Sequence, residues 1–513
     1  MSKDQRFPAA GLHAGWRTRR LLLLSLGILS LFISACGVAS SESNVGEHEF
    51  DSLLSIPALV EPEVSLDGQK VFDLEFVAGE SDLMPGVTTE TWGINGSYLG
   101  PTIRADRGDD VQINVRNGLD EVTTLHWHGM HLPAPMDGGP HQMIQSGETW
   151  EPHWTIDQPA ATLWFHPHMH GATAEHVYRG AAGLFIIDDP DLEDLALPRE
   201  YGVDDIPLIV QDKQFNDDGS LDFSTGMMSN LGILGDEILV NGTHAPRFQA
   251  STSLVRFRVL NASTARVYNF GFDDNRTFDV IGSDTGLLAA PVSMDRLQLS
   301  PGERAELVVS MAPGDDVMLR SFEPDLGMDA WNDRTNGGRD TFEILRITGD
   351  DDLVASPDLP DELVEVTELE EPDAVATRQF SLDSSQSING ESMDMGRIDE
   401  VIEVDTTEIW EITNEHGMLH NFHVHLVHFQ ILDIDGADPP EHLRGWKDTV
   451  QLPPGRTVRL IAEFNDYADP IVPFMYHCHI LRHEDRGMMG QFVVVEPGTD
   501  VPDRLENTDD HQH

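Results

Sequence analysis

Lysine, arginine and cysteine are scarce in this chain of 513 residues, and each scarcity excludes a class of protein. Lysine and arginine together number 32 against 89 aspartates and glutamates, which gives a formal net charge of −57. A protein that binds nucleic acid needs a basic face to neutralise phosphates, so we predict that nucleic acid is not a partner. Only two cysteines occur, Cys36 and Cys478, and two cysteines cannot build a disulfide framework.

The excess carboxylates must lie mostly on the surface, because burying an unpaired carboxylate is costly. Such a surface repels itself at low salt and is screened at high salt. It indicates either a salt-rich habitat or simply an exported protein of low isoelectric point, and the sequence leaves both open. In either case the electric field of this negatively charged surface favours cationic substrates over anionic ones.

Residues 1–35 have the pattern of a signal peptide. Arginines precede an apolar run at 21–33, which is short for a membrane span. The run ends in Ile33-Ser34-Ala35-Cys36, which resembles a bacterial lipoprotein cleavage box. We therefore predict a lipid anchor on Cys36, a polar tether at 36–50 and a periplasmic or cell-surface location. The alternative is an ordinary signal peptide with an incidental cysteine, and the paired arginines also allow twin-arginine export.

The rest of the chain has the pattern of an all-β protein. After residue 50, short β-branched runs such as 111–115 alternate with Gly, Pro, Asn and Asp, which is typical of sandwiches or barrels. Acidic, proline-containing stretches near 188–200 and 350–373 are the predicted linkers. They divide the chain into three domains of ordinary size, at 51–190, 200–350 and 374–497, before a polar tail at 498–513.

Histidine, with 23 copies, is concentrated in four short clusters. In chain order they are His126-Trp127-His128-Gly129, His166-Pro167-His168, His420-Asn421-Phe422-His423-Val424-His425, and His477-Cys478-His479 followed by His483 and Met488. On a strand, residues i and i+2 project from the same face, so each His-x-His pair can direct two imidazoles at one point. Imidazole suits copper, zinc, iron and nickel, whereas thiolate and thioether shift the choice towards copper.

The fourth cluster contains all three of these ligand types. Cys478, His483 and Met488, with one further histidine, form the ligand set of a blue-copper electron-transfer site. If His477-Cys478-His479 is a strand, its two imidazoles point away from the thiol, and the tripeptide can contact two metal centres. The alternatives are scattered surface or core histidines, a buried inert thiol at Cys478, and a zinc site, which would need neither Cys478 nor Met488.

These clusters, two near the start and two near the end, resemble those of the multicopper oxidases in kind and in order. The resemblance runs from about residue 50 to about residue 497. It includes the stretches Asp137-Gly138-Gly139-Pro140, Asp157-Gln158-Pro159-Ala160 and Gly445-Trp446-Lys447-Asp448-Thr449-Val450. It implies three consecutive cupredoxin-like Greek-key β-barrel or sandwich domains and four copper ions, one type 1, one type 2 and two type 3.

The resemblance also implies a role for each matching residue. The expected type 1 ligands are His420, Cys478 and His483, with Met488 axial. The expected type 2 ligands are His126 and His423. The expected type 3 ligands are His128, His166, His168, His425, His477 and His479. Because these residues come from the first and third domains, we expect the trinuclear cluster at their interface. Glu484 and Asp137 resemble the family's proton-relay acids, and Cys478 is the expected electron path.

The function that the resemblance implies is one-electron oxidation of a reducing substrate coupled to four-electron reduction of dioxygen to water. Copper-efflux oxidases often carry a methionine-rich insert before the third cluster, which this chain lacks. Met418 matches a residue of their substrate-copper site, but His416 replaces an acidic one. We therefore predict laccase-like oxidation of phenols or aromatic amines as the first function, and oxidation of Cu(I) or Fe(II) as the second. We also predict that the protein is a monomer.

Three rival functions follow from the same residues. One is an exported copper-binding or electron-transfer protein without dioxygen turnover, and another is a copper nitrite reductase, which usually has two domains per chain. The third is a zinc hydrolase, which would not need Cys478 and Met488. Some family relatives have lost ligands and become noncatalytic scaffolds in cell division, whereas all the expected ligands are present here.

The middle domain has almost none of these histidines and is predicted to be a spacer or substrate-side domain.

Overall fold

Strands make up most of the computed structural model, which describes residues 41–225, 230–502 and 504–505. The predicted signal peptide, Cys36 and most of the polar tail lie outside these residues. From Glu42 onward the described residues belong to a single compact unit. No helix in the described ranges combines the length and the hydropathy needed to cross a bilayer.

The N-terminal third forms a two-sheet sandwich. Its strands are β2 (Glu63–Val64), β3 (Lys70–Met84), β4 (Val87–Ile94), β5 (Ile103–Asp106), β6 (Asp110–Asn117), β7 (His126–His128), β8 (Thr149–Trp150), β9 (His153–Thr155), β10 (Ala161–His166) and β11 (Gly183–Asp188). The strand that precedes them, β1 (Ser52–Leu53), joins a sheet of the middle third. One sheet has the order β5-β11-β10-β7 and the other β2-β3-β6-β8, with β4 on β3 and β9 on β6. Alternate residues of β6, such as Ile113, face the core between the sheets.

The middle third repeats this construction. Its strands are β12 (Asp205–Lys213), β13 (Glu237–Val240), β14 (Thr243–His244), β15 (Pro246–Thr252), β16 (Leu254–Asn261), β17 (Tyr268–Phe272), β18 (Phe278–Ser283), β19 (Gly286–Met294), β20 (Leu297–Leu299), β21 (Arg304–Ser310), β22 (Asp316–Phe322) and β23 (Phe342–Val354). The sheets run β14-β13-β12-β16-β21-β18-β19 and β1-β15-β23-β22-β17-β20. They share a core that includes Phe257 and Leu345.

The C-terminal third is the smallest sandwich. Its strands are β24 (Ala374–Leu382), β25 (Glu400–Glu403), β26 (Thr406–Asn414), β27 (His420–Val424), β28 (Phe429–Ile434), β29 (Thr449–Leu452), β30 (Thr457–Phe464), β31 (Asp469–His477) and β32 (Met489–Val495). The sheets have the orders β24-β26-β30-β28 and β25-β32-β31-β27-β29. Their core includes Trp410, Phe422 and both Cys478 and Met488.

One pattern of strand pairing recurs in all three sandwiches. In each, one sheet contains one parallel pair, β3 with β6, β12 with β16 and β24 with β26. The facing sheet contains another, β5 with β11, β15 with β23 and β25 with β32. The chain is therefore an all-β protein of three consecutive cupredoxin-like Greek-key domains, as predicted. The domain boundaries at 51–190, 200–350 and 374–497 stay predictions.

Helices are few and short in the described residues. They are α1 (Thr173–Arg179), α2 (Ala330–Thr335) and α3 (Leu481–Asp485), with 3-10 turns at Ala134–Met136, Pro190–Leu192, Glu371–Asp373 and Glu441–Leu443. The start of α1 is tied to the end of α3, because the Thr173 and Ala174 amides donate to the Asp485 carboxylate at 2.8 and 3.0 Å. This contact joins the first domain to the third beside the fourth histidine cluster.

The predicted linkers and part of the predicted tether are packed against the domains. Leucines from both linkers, such as Leu195 and Leu363, form a small apolar cluster with Ile281 of the middle domain. Within the stretch predicted to be a tether, Asn44 and Phe50 are buried. These segments contain apolar side chains that pack against the domains, although their polar and acidic composition predicted exposed linkers.

Candidate metal centre

The four histidine clusters meet at the contact between the first and third domains. Within the first domain, β7 and β10 place His126 opposite His166. Within the third, β27 and β31 place His423 opposite His477. Across the interface, Nε2 of His168 lies 3.1 Å from Nε2 of His477, and the Nε2 atoms of His166 and His479 are 3.4 Å apart.

Geometry divides the six expected type 3 histidines into two groups of three. One group is His128, His166 and His479, and the other is His168, His425 and His477. Within each group the nitrogens that could bind a metal lie within 4.8 Å of one another. The sequence alone could not make this division, because each group takes members from both domains.

The two expected type 2 histidines present bare lone pairs to the same space. Nδ1 of His126 donates to the Asp137 carbonyl at 2.9 Å, and Nδ1 of His423 donates to the Asp448 carbonyl at 2.8 Å. A neutral imidazole carries one proton, so Nε2 of each ring is an acceptor. Both Nε2 atoms are buried without a hydrogen-bond partner among the described residues. A metal ion satisfies such a nitrogen, so the residues present fit the copper that the resemblance implies.

Other histidines show the same arrangement of protons. His166 and His477 donate Nδ1–H to backbone carbonyls, and His425 donates to the Asp137 carboxylate at 2.8 Å. The Nε2 atoms of His425 and His477, 3.3 Å apart, therefore face each other as lone pairs, which repel unless a cation lies between them. Burial lowers the pKa of His166 and of His425 well below the ordinary value, which keeps these rings in the neutral form that binds metal.

Both predicted proton-relay acids are buried against this cluster. Asp137 contacts His425 as described, and the two Glu484 oxygens lie 3.4 and 3.2 Å from Nδ1 of His168 and of His477. Neither Glu484 oxygen has a hydrogen-bond partner among the described residues, so both can receive a proton.

The expected type 1 residues lie on the other side of Cys478. Sγ of Cys478 is 3.6 Å from Nδ1 of His420 and 3.6 Å from Nδ1 of His483. Met488 is buried in the same core, and its carbonyl accepts a hydrogen bond from the Cys478 amide at 3.1 Å. Burial raises the pKa of Cys478 to about 12, so the thiolate needs a cation beside it.

The tripeptide around Cys478 differs from the expected strand in one respect. Strand β31 ends at His477, and Cys478 and His479 follow it in irregular backbone. The chain turns here into α3, which brings His483 and Glu484 back to the site. The two histidines nevertheless face the imidazole groups while Cys478 faces His420, so the predicted division of sides is observed.

Three positioning residues were missed at the sequence level. Asp448 accepts from Nε2 of His128 at 3.0 Å and, through its carbonyl, from His423. Arg304 of the middle domain donates to both Asp448 oxygens. Asn421 accepts from the His479 amide at 2.6 Å. Asp448 and Asn421 lie inside stretches that resemble the family, so a signal existed for them, but nothing in the sequence marks Arg304.

The middle domain is therefore more than the predicted spacer. Besides Arg304, it contributes Gly302, whose φ is +87° and which packs on the His479 ring. A Cβ atom at Gly302 would lie 2.9 Å from Nδ1 of His479, so a larger residue would displace a predicted ligand. The Asn230 carbonyl, from the same domain, accepts from Nε2 of His483 at 3.0 Å.

Comparison with known proteins gives matches along most of the chain. Models of the family described as multicopper oxidase match residues 77–192, 213–323 and 364–498. Cell division protein FtsP of Escherichia coli (strain K12) is 37% identical over 449 residues, 86% of this chain and 92% of that protein. Multicopper oxidase mco of Staphylococcus aureus is 33% identical over 463 residues, 88% of this chain and 95% of that protein.

Solved structures agree with these sequence matches. The crystal structure of a laccase from Pediococcus acidilactici aligns with a TM-score of 0.78 at 36% identity. The alignment covers 86% of this chain and 94% of the laccase.

Proposed function

The chain belongs to the multicopper oxidase family, and from this premise we propose that it oxidises a small reducing substrate by one-electron steps and reduces dioxygen to water. The observation that carries the proposal is the convergence of eight buried histidines, several with unpartnered nitrogens, beside a separate site of one cysteine and two histidines. Electron-transfer proteins need only the second site.

We propose four copper sites from this geometry. His420, Cys478, His483 and axial Met488 would hold type 1 copper, and His126 and His423 would hold type 2. The two type 3 ions would be held by His128, His166 and His479, and by His168, His425 and His477. When bound, these ions would supply the one-electron redox steps and the chemistry of dioxygen reduction.

The chain joins the two sites by a short path. Cys478 is bonded through its backbone to both His477 and His479. Nδ1 of His477 also donates to the Cys478 carbonyl at 3.2 Å, which adds a hydrogen-bonded shortcut to the covalent route. Because these side chains are buried, water is excluded from the path.

Protons are the second requirement, since reducing one dioxygen to water consumes four. Glu484 lies between His168 and His477 with both oxygens free to accept a proton, which suits a residue that receives protons and passes them inward. Asp137 contacts His425 and serves the opposite side. Asp485 extends the route outward. Burial, and then the charge of Glu484, raise the pKa of Asp485 to about 7.

For the substrate we propose phenols or aromatic amines, with Cu(I) and Fe(II) as the second class. His416 supports this order, because its Nδ1 accepts from Nε2 of His420 at 3.0 Å and its ring is less buried than that of His420. With its Nδ1 occupied by His420, a neutral His416 carries its proton on Nε2, and this N–H can donate a hydrogen bond to a phenol oxygen. A carboxylate at this position would instead favour a cationic substrate.

The proposal is tested by loading the purified protein with copper and measuring the metal content, the blue absorption band and dioxygen uptake. We expect four copper ions per chain and uptake with a phenol, compared with Fe(II) and Cu(I) under the same conditions. A fully loaded, blue protein without uptake on any of the three would contradict an oxidase. Fast turnover of Cu(I) alone would reverse the order of substrates.

A noncatalytic role is the second candidate, because a relative at 37% identity is named a cell division protein. The complete set of potential ligands disfavours it, as does the buried pair of relay acids. A nitrite reductase is disfavoured by the third domain. Export to the periplasm or cell surface, a lipid anchor on Cys36 and a monomeric state are proposals from the sequence alone.

A further inference from the structure

A cluster of two histidines and one glutamate, residue types that can bind a metal ion, lies at the middle domain, apart from the residues proposed to hold copper. It is built first by the hairpin of β13 and β14, whose turn residues Asn241 and Gly242 have φ values of 51° and 76°. Positive φ at both positions is typical of the tight two-residue turn that matches strand twist. In this register Leu239 is opposite His244, so Glu237 is the diagonal neighbour of His244 on the same face. The Glu237 Oε2 atom lies 2.8 Å from Nε2 of His244.

The N-terminal segment adds a third side chain to this pair. Asn44 is buried and exchanges two hydrogen bonds with the backbone of Glu343, and β1 pairs in parallel with β15. His48 lies in the chain between Asn44 and β1, and these two contacts place it beside the hairpin. Its Nε2 lies 3.3 Å from the same Glu237 oxygen, and its ring stands at 78° to that of His244, with centroids 4.5 Å apart.

We propose that His48, Glu237 and His244 form a binding site for a divalent ion of the zinc class, separate from the copper sites. Two imidazoles and one carboxylate are a common three-residue set for zinc, which leaves a further position for water. Two ligands at about 2.0–2.1 Å from a tetrahedral ion lie about 3.3 Å apart, which matches the 3.3 Å between His48 and Glu237 and is longer than the 2.8 Å between Glu237 and His244. All three side chains are half-buried, so an ion can enter from solvent.

The surroundings favour a cation over a simple hydrogen-bonded trio. Asp236 adjoins Glu237 in the chain and adds a second carboxylate beside the site. Glu42 and Glu47 of the N-terminal segment add negative charge near this face. The negative field of these carboxylates attracts a divalent cation to this face.

Such an ion would clamp the N-terminal segment to the middle domain. His48 belongs to the segment that follows the predicted lipid anchor, and Glu237 and His244 belong to a folded hairpin. Binding to the folded arrangement alone stabilises it by mass action. The site therefore links zinc availability to the attachment of this segment, and it does not depend on oxidase turnover.

The test uses the full-length, copper-loaded protein, dialysed against zinc ion, with metal content measured by mass spectrometry and affinity by titration calorimetry. We expect one zinc per chain beyond the copper. His48→Gln, Glu237→Gln and His244→Gln should each weaken zinc binding at least tenfold. His153→Gln, at an exposed histidine of the first domain, is the matched control and should bind as the parent does.

Copper content and the blue band show whether each variant is folded and whether zinc has displaced copper. No bound zinc in the parent protein would overturn the proposal, and so would zinc binding that the three substitutions leave unchanged. Hydrogen exchange of residues 44–54 gives an independent readout. Zinc should slow exchange there in the parent and not in His244→Gln, and equal exchange with and without zinc would contradict the clamp.

Discussion

The two terminal nitrogens of Arg304 donate hydrogen bonds to the two carboxylate oxygens of Asp448, at 2.8 and 2.7 Å, across the contact between the middle and third domains. Both side chains are fully buried. Burial opposes ionisation of Asp448, but Arg304 outweighs it and keeps the pKa of Asp448 well below its usual range. The ionised carboxylate then accepts from His128, while its backbone carbonyl orients His423.

Arg304→Met is therefore expected to disturb the trinuclear centre without touching a predicted ligand. Asp448 would be left as a buried, unpaired charge, which costs about 3–5 kcal/mol of stability. Because His128 loses a fixed partner, affinity for type 2 and type 3 copper should fall about 10–100-fold. Copper counting and electron paramagnetic resonance measure this loss, and the blue band should persist.

The matched control for Arg304→Met is Arg346→Met, which breaks a similar pair with Asp316 on the surface. Exposed pairs contribute about 0–1 kcal/mol, so that variant should load copper normally. Full type 2 and type 3 occupancy in Arg304→Met would show that Arg304 does not position the site.

Cys478→Ser should remove the blue colour and the oxidase activity together. Serine nearly matches cysteine in size, but its hydroxyl does not supply the soft thiolate that favours copper. Absorption spectra and dioxygen uptake measure both effects. Met489→Leu, at a neighbouring buried methionine that no assignment uses, is the control and should stay blue. A blue Cys478→Ser protein would refute the ligand assignment.

Glu484→Gln should slow dioxygen reduction while leaving the copper content and blue band intact. Glutamine keeps the shape of the side chain but cannot accept and pass on a proton, and such proton transfers contribute about 10²–10⁴-fold to rate. Steady-state turnover in water and heavy water, with the phenol saturating, measures the effect. Glu408→Gln, at a buried glutamate paired with Arg378, is the control for the general effect of replacing a buried glutamate by glutamine. Unchanged turnover in Glu484→Gln would exclude the relay.

His416→Asp should change substrate preference and leave the metal sites loaded. Replacing the imidazole by a carboxylate removes an N–H donor for the phenol oxygen and adds negative charge that attracts Cu(I). We expect kcat/KM to fall about tenfold for the phenol and to rise for Cu(I), because a few kcal/mol of charge interaction is available at a half-buried site. His153→Asp is the surface control. Equal effects on both substrates would contradict a substrate-facing role.

Lys213→Met should flatten the dependence of stability on pH. Burial lowers the pKa of Lys213 from 10.5 to about 7, so the unfolded chain binds more protons than the folded chain between these values. Stability of the parent should therefore rise with pH in this window, by at most about 1.4 kcal/mol per pH unit, and that contribution should disappear in the variant. Urea unfolding between pH 7 and pH 9 measures the slope.

The control for this slope is Lys70→Met, since Lys70 is partly exposed and paired with Asp109. Its pKa is raised, because contacts with Asp109 outweigh partial burial, so it does not titrate below 10.5. A slope in Lys213→Met equal to that of the parent would mean that Lys213 stays protonated in the folded protein.

Several features could be anticipated from the residues because they depend on neighbours in the chain. Alternation along a strand places His126 and His128 on one face, and no knowledge of the partner strands is needed. The turn residues and β-branched runs likewise indicate sandwiches wherever they pack. The opposite sides taken by Cys478 and its flanking histidines follow from the same local geometry, although β31 ends two residues earlier than expected.

Other features arise only when distant segments pack together. The grouping of His168 with His425 and His477 depends on how two domains meet, and so does the approach of Arg304 to Asp448. His48 reaches Glu237 only because β1 joins a sheet of the middle domain. Local chain geometry repeats every two residues and can be read along a sequence, whereas contacts between sheets depend on complementary surfaces that no short stretch encodes.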